Sequence, residues 1–352
     1  MSKKGKLGDE TRWNEWTVAE VYHLLTETIK AGFSRTIFLW GPPAIGKSMV
    51  TRQACEDTQR RLVDRRLSML DPADVRGVLM PGPDGKAVWL NNPDWGLESK
   101  DPFVILLDEH NHAPDLVQKA SYEIALDHAV GQTPFPEGTV IVLAGNREID
   151  NANVTPMDRP MQSRVIHCYV RFDAQTWLDW ATTRGQIHPA VLSYLKERPD
   201  KINCPAGELK EYYGEPLPRT WEFASDCLRT FQDNVDKILA GCIGPGESIE
   251  FTAWMKTAGQ LTPLIDAIEK GKNEVAEEMS QQFFVCQSLV ERFRRRKKLS
   301  KRILEYAIAT KDKCPEVAGL MIQSAYHVDR DALKSDEALW KRMMKFFAKI
   351  FA

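Results

Sequence analysis

The feature that most constrains this chain is the segment Gly41, Pro42, Pro43, Ala44, Ile45, Gly46, Lys47 and Ser48, set between an apolar run at residues 36–40 and a helical pattern that begins near Lys47. A strand, a glycine-rich turn ending in Gly-Lys-Ser and then a helix form a phosphate-binding arrangement. Glycines let backbone amides approach an anion, and the helix N-terminus adds positive potential. Lys47 is placed to reach terminal phosphates, and Ser48 offers a hydroxyl ligand for Mg²⁺. Pro42 and Pro43 carry no amide hydrogen, so the cradle starts at Ala44 and runs to Met49. An ordinary Gly/Pro surface turn has no reason to sit between a buried strand and a helix, and the flanks therefore decide for the phosphate loop.

Further apolar runs at 62–67, 103–107, 139–144 and 165–170 alternate with segments of helical spacing, such as 114–129. Five buried strands separated by helices predict an α/β fold with a five-stranded parallel sheet. An amphipathic helix over 18–31, with Thr17 as N-cap, opens the fold. Beyond Phe172 strand-like runs disappear, and the pattern stays helical apart from a proline-rich connection at 198–218. This divides the chain into a nucleotide-binding core at 1–172, an α-helical lid at 173–270 and a helical C-terminal region at 271–352.

At 43% hydrophobic and 27% charged residues the chain has the composition of an ordinary globular protein. A formal charge of -2 gives no overall pull toward nucleic acid or anionic lipid. Seven scattered cysteines without a CxxC pair predict reduced thiols and a cytoplasmic setting. No apolar segment reaches membrane-spanning length, so neither insertion nor secretion is expected.

The run at 103–107 ends in Asp108 and Glu109. In a phosphate-loop fold, Asp108 holds Mg²⁺ through water and Glu109 polarises the attacking water. Paired acids at a strand end are by themselves only a solvated terminus, and the upstream loop is what gives them meaning. Asn146 follows the next strand, where its amide can orient that water; in isolation it reads as a turn residue. His110 and His112 have no third ligand nearby, so no transition metal is assigned.

Together these segments resemble an AAA+ ATPase, and within that superfamily they are similar to the MoxR-like group, over residues 18–231. The stretch from Asp108 through Asn111 to Ala113 resembles that group's acidic motif, with His110 where an apolar residue is usual and His112 where Arg or Lys is usual. Asp74 to Gly77 resembles the entry to a hairpin inserted in the second helix, here spanning 78–90 with its turn at 83–85 and facing the ring pore in the family. The resemblance implies ATP and Mg²⁺ as ligands and a homo-oligomeric ring, a hexamer in the family. It also implies an arginine finger at Arg164, favoured over Arg159, and a sensor 2 arginine at Arg219 that touches the γ phosphate from its own subunit. The partner implied is a protein to be remodelled, in the family often one with a von Willebrand factor A domain.

The basic run Arg292, Arg294, Arg295, Arg296, Lys297 and Lys298, followed by Lys301 and Arg302, keeps a nucleic-acid motor or loader open as the alternative, with a nucleotide-gated switch as a third reading. A solvated helix face or a subunit contact accounts for the run more simply in a chain that is not basic as a whole. Trp13 and Trp16, flanking the first helix, are expected to cover the core or the adenine pocket.

Overall fold

The computed structural model describes residues 14–131, 133–150, 154–184, 187–204 and 214–348. Trp13 lies outside them, as does part of the 198–218 connection. The chain divides into two compact units, one ending at Asp173 and the other starting at Ala174.

The first unit contains strands β1 (Glu15–Trp16), β2 (Ile37–Trp40), β3 (Leu62–Arg66), β4 (Val78–Pro81), β5 (Ala87–Leu90), β6 (Val104–Asp108), β7 (Ala129–Val130), β8 (Thr133–Pro134), β9 (Val140–Gly145) and β10 (Ile166–Val170). Its helices are α1 (Val18–Ala31), α2 (Lys47–Asp57), α3 (Pro72–Arg76), α4 (Asp115–Ala120) and α5 (Arg159–Gln162). The main sheet is parallel throughout, in the order β1-β10-β2-β9-β6-β3.

The expected five strands are therefore six. The addition, β1, is two residues long, too short to leave an alternation in the sequence. It is held by the bond from the Arg171 amide to the Trp16 carbonyl and by Asn14 Nδ2 donating to the His167 carbonyl at 2.7 Å.

Buried strands present apolar side chains to both faces, and successive residues divide between two cores. Leu39, Leu106 and Val142 join Val21, Leu25 and Ile29 of α1 and Val50 and Ala54 of α2. Phe38, Leu107 and Leu143 face Val75, Val117 and Met161, supplied by α3, α4 and α5. Helix α1 starts where the sequence places it, with a capping box between Thr17 and Glu20. The helix expected over 114–129 is instead interrupted: α4 ends at Ala120, the Ser121 hydroxyl turns back to the Gln118 carbonyl at 2.7 Å, and a π turn covers Glu123–Asp127. A side chain bonding to a local carbonyl competes with the helical ladder at that point.

Strands β4 and β5 form the expected hairpin, closed by Gly82 N to Lys86 O at 2.7 Å. At its base Gly77 has φ 80°, and a Cβ there would lie 2.4 Å from the Leu90 carbonyl, so only glycine fits. One hairpin face carries Leu79 and Trp89, with the Arg76 guanidinium 5.5 Å over the Trp89 ring. Its other face, Val78, Met80, Val88 and Leu90, is exposed along its whole length.

The described residues of the second unit form helices α6 (Ala174–Thr183), α7 (Pro189–Glu197), α8 (Pro218–Thr230), α9 (Val235–Ile243), α10 (Pro245–Ala258), α11 (Thr262–Glu269), α12 (Met279–Arg295), α13 (Ser300–Thr310), α14 (Pro315–Val328), α15 (Arg330–Lys334) and α16 (Glu337–Phe347), without a strand. Tyr194, Trp221 and Phe251 make a buried aromatic cluster with ring centroids 5.1–5.7 Å apart, and Trp221 Nε1 donates to the Lys201 carbonyl at 2.9 Å. Among the described residues no helix is long and apolar enough to cross a membrane.

Candidate nucleotide site

Parallel strands gather their loops at one end, and here the carboxyl ends of β2, β6 and β9 deliver the candidate residues together. The loop after β2 is tightly constrained. A Cβ on Gly41 would meet the Val170 carbonyl at 2.5 Å, Ala44 has φ 64°, and Gly46 caps α2 at φ 103°. These positive angles turn the loop over the helix N-terminus, where backbone donors converge on an anion.

Lys47 is buried, and its ammonium donates to the carbonyls of Gly41 at 2.7 Å and Pro42 at 2.8 Å and to Asn146 Oδ1 at 2.9 Å. One side chain thus ties the loop after β2 to the amide after β9. Ser48 Oγ donates to Asp108 Oδ2 at 2.6 Å, linking the start of α2 to the end of β6. Two hard oxygens from separate elements, converging beside the phosphate loop, fit an Mg²⁺ site with water or phosphate as the remaining ligands. Among the described residues no cluster of three His, Cys, Asp or Glu side chains has metal-binding geometry.

Glu109 adopts a left-handed backbone, φ 55°, held by its amide donating to Asp108 Oδ1 at 2.9 Å. Such a conformation costs about 1–3 kcal/mol in a non-glycine residue and is typical of functional sites. It turns the Glu109 carboxylate toward Ser68, whose hydroxyl donates to Oε2. Asn111 brackets Asn146 by donating to its carbonyl at 2.6 Å and accepting from its amide at 3.1 Å, so the orientation of Asn146 is fixed from the neighbouring strand.

Neither Ser68 nor the bracketing role of Asn111 was visible in the sequence. Asn111 lies inside the acidic motif, but its partner is 35 residues away; Ser68 follows β3 with no local signal at all.

His110 is fully buried. Its Nε2 donates to Ser121 Oγ at 3.2 Å, since that hydroxyl spends its own proton on the Gln118 carbonyl. Nδ1 is left without a partner, and burial holds the imidazole neutral, its pKa lowered to about 4. The ring meets Phe38 edge-on at 5.5 Å, packing where an apolar residue would. Trp16 packs against the α1 side of the sheet and bonds Asn14 Oδ1 at 2.7 Å.

Arg164 and Arg159 of the first unit are not part of this cluster. Arg164 is exposed and precedes β10, whose first residue pairs with Ile37 at the start of β2. Gly41 follows the other end of β2, roughly 15–20 Å away at the usual rise per strand residue. Arg159 is also exposed, on the first turn of α5. Arg219 is exposed on the first turn of α8 in the second unit, where Glu222 has its pKa raised to about 7 by burial, against the pull of Arg219.

The basic run is largely neutralised within its own unit. Arg292 meets Asp266 at 2.6 Å and Glu269 at 2.7 Å, Arg296 meets Glu269 at 2.7 Å, and Lys297 meets Asp329 at 3.2 Å. Arg302 donates to the Ile268 carbonyl at 2.6 Å.

The phosphate-loop strand β2 lies between β10 and β9, with β6 and β3 beyond, in the parallel α/β sheet of a P-loop fold, and the phosphate loop, acidic pair and strand-end asparagine all stand at the carboxyl ends of its strands. No protein-family model and no curated protein matches the chain. Among solved structures it is similar to the Holliday junction branch migration motor RuvB of Thermotoga maritima, at 14% identity and TM-score 0.39 over 73% of this chain and 78% of that one. It is also similar to NtrX from Brucella abortus in complex with ADP, at 13% identity and TM-score 0.36 over 93% and 68%. Resemblance at this level leaves function to the residues of the site.

Proposed function

We propose that the protein hydrolyses ATP at sites completed between neighbouring copies in a ring, and uses the reaction to remodel a protein partner. The observation that carries this reading is the meeting of Lys47, Ser48, Asp108, Glu109 and Asn146 at the carboxyl ends of the strands while Arg164 stands at the amino end of β10. An arginine that far from its own phosphate loop can serve only a neighbour's.

In this mechanism Lys47 and the amides from Ala44 onward hold the β and γ phosphates. Bound Mg²⁺ would neutralise phosphate charge, held by Ser48 and, through water, by Asp108. Glu109 accepts hydrogen-bonding from the attacking water, and Asn146 orients it. Arg164 from the adjacent copy balances charge developing on the γ phosphate, an effect worth roughly 10³–10⁵ in rate in other NTPases. Arg219 is proposed as the sensor for the γ phosphate from the second unit, so Arg219→Ala should lower turnover more than nucleotide affinity.

The exposed apolar face of the β4–β5 hairpin supports a protein substrate over a nucleic acid, because Val78, Met80, Val88 and Leu90 give a phosphate backbone nothing to bind and the cation beside them, Lys86, is shared with Asp84. Internal pairing of the basic run points the same way. A hexamer, a von Willebrand factor A partner and a cytoplasmic setting remain part of the proposal through the MoxR-like resemblance.

The test is phosphate release from ATP by wild type, Glu109→Gln and Arg164→Ala across a concentration series, with oligomer size recorded. Activity per subunit should rise with assembly, and each substitution should abolish turnover while nucleotide still binds. Concentration-independent activity, or turnover surviving both changes, would replace the shared site with a self-contained one.

A further inference from the structure

An ammonium group has three protons to donate, and in Lys47 all three are directed at protein oxygens: the carbonyls of Gly41 and Pro42 and Oδ1 of Asn146. A phosphate oxygen can bind this ammonium only by displacing at least one of them. Two of the three belong to the residues that directly follow β2, so filling the site bears on the chain where that strand ends.

Trp40 is the last residue of β2, next to Gly41. Its indole Nε1 donates to His167 Nδ1 at 2.9 Å. Indole is a donor only, so Nδ1 is the accepting nitrogen, and Nε2 carries the ring proton and donates to the Gln162 carbonyl at 2.8 Å. Gln162 ends α5, and that helix holds Arg164: the Met161 carbonyl accepts the Arg164 amide at 3.0 Å, and the Pro160 carbonyl accepts Arg164 Nη1 at 3.5 Å. His167 therefore bridges the phosphate-loop strand and the helix beside Arg164.

The bridge is stiff at one end and loose at the other. Trp40 lies flat on Phe38, with ring centroids 3.9 Å and planes 8° apart, and the His167 ring is 6.1 Å from Trp40 at 23°. Beneath these rings the backbone is fixed by strand pairing, with Phe38 opposite His167. Helix α5 has only four residues, and a cavity of about 570 Å³ lined by Trp40, Gln162, His167 and Tyr169 adjoins it. A helix that short has little stability of its own and takes its position from its contacts.

We propose that His167 is a positioning residue: it passes the exchange at Lys47 through Trp40 and Gln162 to α5, so that a copy with nucleotide in its own loop presents Arg164 to its neighbour. The relay rests on the shared-site reading above. Coupling between two sites typically amounts to about 5–150-fold.

The test is turnover at saturating ATP by co-assembled rings, in which Glu109→Gln copies supply Arg164 and Arg164→Ala copies supply the intact site. On the shared-site reading each variant is inactive alone and the mixture turns over; a mixture that restores nothing overturns that reading, and the relay falls with it. Two further substitutions are then placed in one copy or the other. His167→Asn keeps an acceptor for Trp40 and loses the donor to Gln162, whereas His167→Gln keeps the donor and loses the acceptor. Both are polar at a half-buried position, so the fold should hold, as unfolding midpoint and oligomer size will report. In the Glu109→Gln copy each should lower the restored rate by about tenfold or more, and in the Arg164→Ala copy by less than about threefold. A purely structural role would cost the same in either copy. The proposal is overturned if either substitution costs less than about tenfold in the Glu109→Gln copy, or if the loss is as large in the Arg164→Ala copy.

Discussion

The hydroxyl of Ser68, just past the end of β3, donates a hydrogen bond to Oε2 of Glu109, just past the end of β6. Strands β3 and β6 are paired in parallel, with Arg66 opposite Asp108, so the contact follows directly from sheet register. It occupies one of the two carboxylate oxygens that, in the proposed reaction, are available to the attacking water.

Ser68→Ala should therefore raise the basal rate of ATP turnover. Releasing a hydrogen bond worth about 1 kcal/mol predicts roughly fivefold in kcat with KM little changed. Steady-state phosphate release decides it; a fall in kcat would mean that Ser68 positions Glu109 productively instead of detaining it.

Asn111→Ala removes both bonds that hold the Asn146 backbone from β6's side. Asn111 is buried, so its loss should destabilise the first unit by roughly 2 kcal/mol. It should also lower kcat by letting Asn146 drift from Lys47. Urea unfolding and phosphate release on the same preparation separate the two effects.

His110 predicts a pH dependence. Its pKa in the folded protein, about 4, lies below the ordinary 6.5, so between those values the unfolded chain binds a proton that the folded one refuses. Its contribution is complete above the ordinary value and is lost as pH falls toward about 4, at up to about 1.4 kcal/mol per pH unit. His110→Leu should flatten this slope, because the Ser121 hydroxyl keeps its bond to Gln118 and loses only an acceptor role. Unfolding free energies for both proteins across that window measure it; parallel slopes would rule the histidine out.

The hairpin gives the opposite expectation. Met80 and Val88 sit opposite one another on its exposed face, so Met80→Thr with Val88→Thr, a polar pair that suits a strand, should change stability by no more than about 0.5 kcal/mol. Unstimulated turnover should also be unaffected. A lower unfolding midpoint or reduced basal turnover would show that this face is packed in the assembled protein and not available to grip a substrate.

Much of the first unit was legible because its signals are local. The Gly41 to Ser48 segment, the Thr17 cap, the apolar runs and the turn at 83–85 each depend on residues close in sequence, where spacing reports backbone conformation directly. Strand β1 escaped because two residues make no pattern. The helix over 114–129 was misread because hydrophobic spacing persists through a π turn, while the Ser121 hydroxyl that diverts the backbone leaves no periodic trace.

What the sequence determined by itself was which residues to propose for phosphate chemistry and that they sit at strand ends, since glycine freedom, proline's missing donor and paired carboxylates are properties of neighbouring residues. What only the tertiary structure decided was how those ends meet: Ser68 on Glu109, Asn111 around Asn146, and Lys47 across to the loop after β9. It also decided that Arg292 and Arg296 of the basic run are spent on acids of α11, and Arg294 and Arg295 on Glu291 of their own helix. The reason is that charge balance and side-chain hydrogen bonds depend on distances between elements, and those are set by sheet register and helix packing, which the order of residues along one strand or helix does not contain.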